Sequence, residues 1–192
     1  MNQQYFWMGG YLSRLTKLVF LDENKKPRKT DFGLFSKKLA DEIGTELLRG
    51  YYYQCPPYQS PFPTPEEKSR KTSHDQFNYN LRQIKQLQLR EGRLLKLFDE
   101  SGKPEFIQKG VDVLLAIDMV KLALKGAIQK AIIVACDSDF IPAVRALKEE
   151  GVMVHIYYYN DKDFGFSREL VTECDDRHEL TEDYFKGCEP KK

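Results

Sequence analysis

The feature that most constrains the fold is a run of five apolar residues at 131–135, AIIVA, which two aspartates follow closely. β-Branched residues fill this run without polar alternation, which is typical of a strand buried on both faces of a sheet. Asp137 and Asp139, separated by Ser138, come where such a strand would reach the surface. In open α/β sheets, ligands bind at this carboxyl edge. The run therefore predicts an α/β fold with a functional site at the end of the strand.

Helical and strand patterns alternate along the whole chain, which predicts α/β layers around a mainly parallel central sheet. Besides 131–135, strands are expected at 4–8, 45–54, 93–99, 104–108 and 152–159. Helices are expected at 31–44, 74–89, 109–126, 139–151 and 167–176. The helix at 109–126 is apolar almost all round, so we expect it to be buried on most sides.

Residues 54–72 contain five prolines, and proline lacks the N–H that a helix or a central strand requires. We therefore expect a long loop here, which is either a flap over a site or a disordered insertion. No change in composition divides the 192 residues, so we expect a single domain over residues 1–185. A charged C-terminal tail is expected at 186–192.

The composition disfavours several classes of protein. A hydrophobic content of 41% with 31% charged residues is ordinary for a soluble globular protein, and no apolar stretch is long enough for a membrane span. The first residues lack the pattern of a secretory signal, so we expect a cytoplasmic location. The four cysteines share no CxxC spacing, which disfavours a zinc site. The absence of a glycine-rich phosphate loop disfavours a nucleotide-binding domain.

Positive charge is concentrated in one segment, although the net charge of the chain is only +1. Residues 68–96 carry eight basic and two acidic side chains, a local charge of +6. The basic residues are Lys68, Arg70, Lys71, Arg82, Lys85, Arg90, Arg93 and Lys96. Such a run is either a solvated helix face or a surface that binds a polyanion, for which Arg82, Lys85, Arg90 and Arg93 are the candidates.

Four aspartates are candidates for chemistry. Asp118 shares a helix stripe with leucines, and a buried unpaired charge costs several kcal/mol, so it needs a basic partner such as Lys121 or Lys109, a hydrogen-bond cage or a metal ion. Asp112 lies on a different face of the same helix, and we leave open whether it caps the helix or takes part in chemistry.

The pair of aspartates after the buried strand suggests a cation. Asp139 can cap a helix that begins at Phe140, but this leaves Asp137 without a structural role. Two like charges so close together repel unless a cation lies between them. Hard oxygen ligands at a sheet edge suit Mg²⁺ or Mn²⁺.

Three segments with these acids together resemble a known family. KGVDVLLAIDMVKLA, AIIVACDSDFIPAVRALKEEGVMV and SRELVTECDD resemble the NYN domain in the LabA-like (DUF88) branch of the PIN-like nuclease superfamily. GGYLSRL and LLRGYYY fit the same branch in order, so the resemblance covers nearly the whole chain. It implies a Rossmann-like three-layer α/β/α sandwich and metal-dependent hydrolysis of RNA phosphodiester bonds.

The resemblance also implies roles for particular residues. By position, Asp118 and Asp137 match metal-site aspartates, Asp139 is a further metal ligand, and Asp112 is a further catalytic acid. The bound Mg²⁺ or Mn²⁺ would activate a water molecule for in-line attack on phosphorus. The expected substrate-binding residues are Lys109, Ser138, Arg82 and Arg93. The expected partner is RNA, single-stranded in form, and a shallow groove is compatible with a homodimer.

The chain departs from the family pattern at the end of its first strand. The family normally has an aspartate before the glycines, as in IDGGYL, whereas this chain has Met8 before Gly9 and Gly10. A thioether is a poor ligand for a hard cation. Either another acid substitutes, or metal binding is weak, or the chain is a catalytically inactive RNA-binding or regulatory relative.

Overall fold

A six-stranded parallel sheet forms the centre of the protein in a computed structural model that describes residues 3–161 and 164–190. Its strands are β1 (Gln3–Met8), β2 (Arg49–Gln54), β3 (Leu87–Glu91), β6 (Lys130–Val134), β7 (Met153–Tyr158) and β8 (Asp176–Glu179). Two further strands, β4 (Arg93–Phe98) and β5 (Pro104–Lys109), form a separate antiparallel pair. The prediction of an α/β fold with a parallel sheet is confirmed.

The order of the strands places a switch point in the middle of the sheet. Neighbouring strands follow the order β3-β2-β1-β6-β7-β8, and every neighbouring pair is parallel. From β1 the chain builds outward to β2 and β3 on one side, whereas β6, β7 and β8 build outward on the other. The carboxyl ends of β1 and β6 therefore border a crevice of the kind in which open α/β sheets bind ligands.

The helices are α1 (Gly9–Arg14), α2 (Phe32–Glu42), α3 (Pro65–Arg82), α4 (Val111–Leu124), α5 (Ile141–Glu149) and α6 (Arg168–Glu173), and a π-helical segment, Leu15–Val19, continues α1. Asp31 begins α2 as the sequence predicts, because its carboxylate accepts hydrogen bonds from the N–H groups of Gly33 and Leu34. Among the described residues, no helix is both long enough and apolar enough to cross a membrane.

Each face of the sheet supports its own hydrophobic cluster, because successive strand residues point to opposite faces. Tyr51 and Tyr53 pack with residues of α4, α5 and α6, whereas Tyr52 packs with residues of α1 and α2. Ile133 and Ile132 divide between the same two clusters. All three tyrosines are buried, so they are core residues and not exposed stacking platforms.

The prediction of a loop over the whole of 54–72 is wrong in its second half. Helix α3 begins at Pro65, where the missing N–H of proline costs nothing because the first turn has no partner for it. Thr64 caps the helix by accepting from the Glu67 N–H, and the Glu67 carboxylate accepts from the Thr64 N–H in return. Only residues 55–64 lie outside regular structure between β2 and α3.

Three other predicted elements have different bounds or surroundings. The helix predicted at 74–89 ends at Arg82, and its last residues belong to strand β3. The helix predicted at 167–176 ends at Glu173, and Asp176 begins β8. Helix α4 is not buried on most sides, because the side chains of Val113, Ile117 and Leu124 are 60%, 55% and 65% exposed.

The C-terminal segment packs against the sheet. Phe185 is fully buried and stacks on Phe35 and Phe20, with ring centroids 5.0 and 4.6 Å apart. Cys188 is also buried, and its carbonyl oxygen accepts from the Asp31 N–H at 2.6 Å. Residues 186–190 of the predicted tail are described, and within them Cys188 packs against the core.

A buried histidine predicts a loss of stability in mild acid. His155 in β7 lies 3.2 Å from Asp176 and 3.4 Å from His178, yet burial outweighs the Asp176 carboxylate and lowers the pKa of His155 below its ordinary 6.5. Below about pH 6.5 the unfolded chain therefore takes up a proton more readily than the folded protein. We expect the free energy of unfolding to fall as the pH decreases below this value.

The measurement is urea unfolding between neutral pH and mild acid for the protein and for His155→Gln. The variant stays neutral at position 155, so its stability should fall less over this range than that of the unaltered protein. Equal pH dependence in the two proteins would contradict the assignment to His155.

Candidate active site

The candidate site lies where the carboxyl ends of β1 and β6 meet. Trp7 of β1 pairs with Val134 of β6, so the backbone of Met8 ends its strand beside the segment that leads to Asp137. The side chains of residues 3–9, including that of Met8, lie outside the described part of the structure. The switch point of the sheet thus places position 8 and Asp137 at one edge.

A short 3-10 helix presents the two aspartates that follow β6. It spans Ser138–Phe140, and the fully buried Phe140 anchors it to the core. Asp137 accepts a hydrogen bond from the Asp139 N–H at 3.1 Å, so Asp137 is the cap of this turn. The expectation that Asp139 can cap the helix and leave Asp137 without a structural role is therefore wrong, because Asp137 is itself a cap. Asp137, Ser138 and Asp139 all remain exposed.

Helix α4 adds Asp112 to the same edge. The residue before the helix is Gly110, whose φ of +85° favours glycine, and Asp112 is the second residue of the helix and not its cap. Partial burial, and then the negative charges of Asp137 and Asp139, raise the pKa of Asp112 above its ordinary value. Helix α4 also contacts the 3-10 helix that carries Asp139, so the three carboxylates lie near one another.

Asp118 faces a different part of the molecule. It lies about 9 Å further along α4 than Asp112, and its side chain is 18% exposed. Its carboxylate accepts from Arg90 Nε at 3.1 Å and from the Tyr53 hydroxyl at 2.9 Å. Of the three alternatives expected for Asp118, a basic partner is present, but it is Arg90 and not Lys121 or Lys109. As a metal ligand, Asp118 stays a prediction.

The donor set at the sheet edge suits a divalent cation in its chemistry. Asp112, Asp137 and Asp139 offer hard carboxylate oxygens, and their mutual repulsion would be relieved by positive charge between them. Within residues 3–161 and 164–190, however, no group of three or more His, Cys, Asp or Glu side chains has the arrangement of a metal-binding cluster. The structure therefore brings the acids near one another without converging their oxygens on one point.

The predicted substrate-binding residues fall into three places. Arg93 and Lys109 are exposed and directly opposite each other at the base of the β4–β5 pair, from which the chain enters α4 through Gly110. Ser138 lies between the two aspartates of the 3-10 helix. Arg82 is exposed at the end of α3, from which the chain leads to the beginning of β3, and it lies away from the aspartates.

Two residues that sequence analysis did not single out as site residues lie beside the acids. The positive charge of Arg14 and the negative charges of Asp137 and Asp112 all act on Cys136. Arg14 is exposed on α1, and its guanidinium lies 4.6 Å from the centre of the Phe164 ring. Its position could be found from the sequence, because GGYLSR follows the first strand and so begins at the carboxyl edge.

Cys136 itself is not a suitable nucleophile. Burial, followed by the charge of Asp137, raises the pKa of its thiol to about 11, so the thiol stays protonated at neutral pH. Cys136 is therefore a small residue packed at the end of its strand, half-buried against the hydrophobic cluster of α1 and α2.

Comparison with known proteins identifies the family. No curated protein matches the chain. The family model of the NYN domain matches residues 18–181, which is most of the chain and includes Asp112, Asp118, Asp137 and Asp139 but not position 8. The match agrees with the parallel sheet and with the acidic residues at its carboxyl edge, and the protein belongs to the NYN domain family.

Proposed function

We propose that this protein is a metal-dependent ribonuclease that hydrolyses RNA phosphodiester bonds at the carboxyl edge of β1 and β6. The observation that carries the proposal is the shared position of Asp112, Asp137 and Asp139 at the switch point of an NYN domain. NYN domains are typically nucleases related to RNA, and such nucleases usually use divalent metal ions.

In this proposal, Asp112, Asp137 and Asp139 hold Mg²⁺ or Mn²⁺ with their carboxylate oxygens. The bound cation would lower the pKa of a coordinated water and neutralise charge on the phosphate. Asp137 is held in place by the Asp139 N–H, which leaves its other oxygen available. Asp118 joins the ligand set only if it exchanges Arg90 for the cation.

Cationic side chains around the acids bring the phosphates of the substrate to the site. Lys109 and Arg93 lie together at the base of the β4–β5 pair, and Arg14 lies on the opposite side, near Cys136. None of these three makes an ion pair with another described residue, so each can contact a phosphate oxygen. The Ser138 hydroxyl, between the two aspartates, can donate a further hydrogen bond.

We further propose that the protein belongs to the LabA-like branch of the NYN family. The motif order supports the LabA-like branch, and the two hydrophobic clusters on opposite faces of the sheet support a Rossmann-like three-layer α/β/α sandwich in one domain. The proposed location is the cytoplasm, and the proposed substrate is single-stranded RNA. A homodimer would have an apolar face available on α4, where Val113 and Ile117 are exposed.

The proposal is tested by incubating a labelled single-stranded RNA of mixed sequence with the protein in Mn²⁺, Mg²⁺ or EDTA. We expect cleavage in the presence of metal and none in EDTA, and we expect Asp137→Asn to lower the rate about 100-fold or more. Asp41→Asn is the matched control, because Asp41 is an exposed acid on α2 that pairs with Lys37. This control should cleave RNA at the rate of the unaltered protein.

Metal binding is measured separately from cleavage. Mn²⁺ should raise the unfolding temperature of the protein and of Asp41→Asn, because a ligand that binds only the folded state stabilises it. Mn²⁺ should raise the unfolding temperature of Asp137→Asn much less. Cleavage that persists in EDTA or in Asp137→Asn would contradict the proposal.

A second function is favoured by one specific observation, the methionine at position 8. Without a carboxylate there, the site has lost an expected hard ligand, and the protein would be an RNA-binding or regulatory NYN module that does not cleave. Binding of RNA without cleavage in Mn²⁺ or Mg²⁺ would establish this second function in place of the first.

A further inference from the structure

A second pocket opens at the same edge of the sheet, on the far side of β2 and β3 from the aspartates. It lies between α3 and the residues that follow the ends of these strands, and we call it the α3 pocket; Asn78, Tyr79, Arg82 and Glu91 line it. Its volume of about 770 Å³ is within the range of about 300–1,000 Å³ that small-ligand sites occupy. The distance across the sheet from β3 to β6 is three strand spacings, or about 14 Å.

A hydrogen-bond network around the buried Asn78 forms part of the pocket wall. Asn78 is 5% exposed, its side-chain oxygen accepts from the Gln54 amide, and its nitrogen donates to Glu91 Oε1 at 3.0 Å. His74 Nε2 lies 3.2 Å from the same Glu91 oxygen. The network fixes the Glu91 carboxylate at the end of β3, and Glu91 Oε2 makes no hydrogen bond with another described residue.

Two more groups in the pocket lack partners of their own. The Tyr79 side chain is 62% exposed and makes no ring contact within the described chain. The Arg82 guanidinium, one turn further along α3, makes neither an ion pair nor a hydrogen bond with any described residue. The other cation, Lys71, is already paired with Asp75. The groups that remain for a ligand are therefore an aromatic ring, a guanidinium and a carboxylate oxygen.

These three groups match the face of a base, the edge of the same base and the phosphate of a nucleotide. An exposed aromatic ring stacks on bases, and arginine binds phosphate. A carboxylate that only accepts hydrogen bonds pairs with an amino group on the edge of a base, such as N4 of cytosine, where uracil carries an oxygen. The charged residues of the pocket are two cations and two carboxylates, namely Lys71, Arg82, Asp75 and Glu91. Because these charges cancel, the pocket suits a base with its phosphate better than a phosphate alone.

We infer that the α3 pocket binds one unpaired nucleotide of the RNA substrate, with its base on Tyr79, its amino group on Glu91 and its phosphate on Arg82. This inference rests on the proposed RNA substrate and extends it. A strand held in the α3 pocket would cross the ends of β2 and β1 before reaching Asp137. The pocket would thus select which base lies a short distance from the site of cleavage.

The test measures binding and not cleavage, using labelled ten-nucleotide oligo(C) and oligo(U) in EDTA and reading fluorescence anisotropy. We expect oligo(C) to bind about fivefold or more tightly than oligo(U), and Glu91→Gln to reduce this preference to less than about twofold. Tyr79→Ala should weaken binding of both oligomers about tenfold, whereas Tyr79→Phe, which keeps the ring, should not. Arg82→Gln should weaken both and lower the dependence on salt.

Arg70→Gln is the matched control for Arg82→Gln, because Arg70 is exposed on the same helix but does not line the pocket. It should change the affinity less than about twofold. If the protein binds RNA but Tyr79→Ala and Arg82→Gln bind as tightly as Arg70→Gln, the α3 pocket inference is overturned and the proposed ribonuclease stands. If the unaltered protein binds neither oligomer and cleaves no RNA, the proposed function itself fails.

Discussion

Replacement of Met8 by aspartate is expected to raise Mn²⁺-dependent RNA cleavage about 100-fold, which corresponds to roughly 2.7 kcal/mol of transition-state stabilisation. Strand β1 ends at Met8, next to β6 and at the same sheet edge as Asp137. A carboxylate at position 8 would add a hard oxygen ligand where a thioether cannot bind Mg²⁺ or Mn²⁺ well. The measurement compares initial cleavage rates of Met8→Asp and the unaltered protein.

Met153→Asp is the matched control for this prediction. Met153 is partly exposed at the beginning of β7, at the opposite edge of the sheet from Asp137. The same change of side chain there should not increase cleavage. An unchanged rate in Met8→Asp would mean that position 8 contributes no metal ligand, and it would count against the site as we place it.

The second large effect concerns stability. Phe185→Ala should lower the free energy of unfolding by about 3–5 kcal/mol, because it removes a fully buried ring that stacks on Phe35 and Phe20. Small domains are stable by about 5–15 kcal/mol, so much of the stability would be lost. Urea unfolding followed by circular dichroism measures the change.

Phe62→Ala is the control, since the Phe62 side chain is 92% exposed in the segment before α3. It should change the free energy of unfolding by less than about 0.5 kcal/mol. A similarly small change in Phe185→Ala would show that the C-terminal segment does not form part of the folded core.

Buried strands and the position of the acidic edge could be predicted from local sequence. The apolar run before Cys136 predicts a fully buried strand, and the bounds of β6 differ from that run by only one residue at each end. The sequence did not predict the start of α3, because five prolines in 54–72 favour a loop, although Thr64 and Glu67 have the spacing of a capping box. Strand β3 was missed because a short strand next to a helix has no distinct period of its own.

The partners of the acidic residues could be identified only from the tertiary structure. Asp118 and Arg90 are 28 residues apart, and only the packing of α4 against β2 and β3 brings them together. The sequence also could not show that one side of α4 is exposed, because hydrophobic composition does not distinguish a buried helix from a helix with a solvent-exposed apolar face. The sequence left open whether Asp112 caps α4, and only the structure, in which Gly110 is the cap residue, excludes that role.

The central place of β1 in the sheet governs how the chain folds. Its partner β6 begins at Lys130, so the middle of the sheet closes only after a long intervening segment has been made and brought back. Closing such a segment costs entropy before the pairing repays it, so we expect slow folding dominated by distant contacts. A fragment ending before β6 would lack Asp137 and Asp139. It would also leave one side of β1 without a partner strand, where another chain could pair.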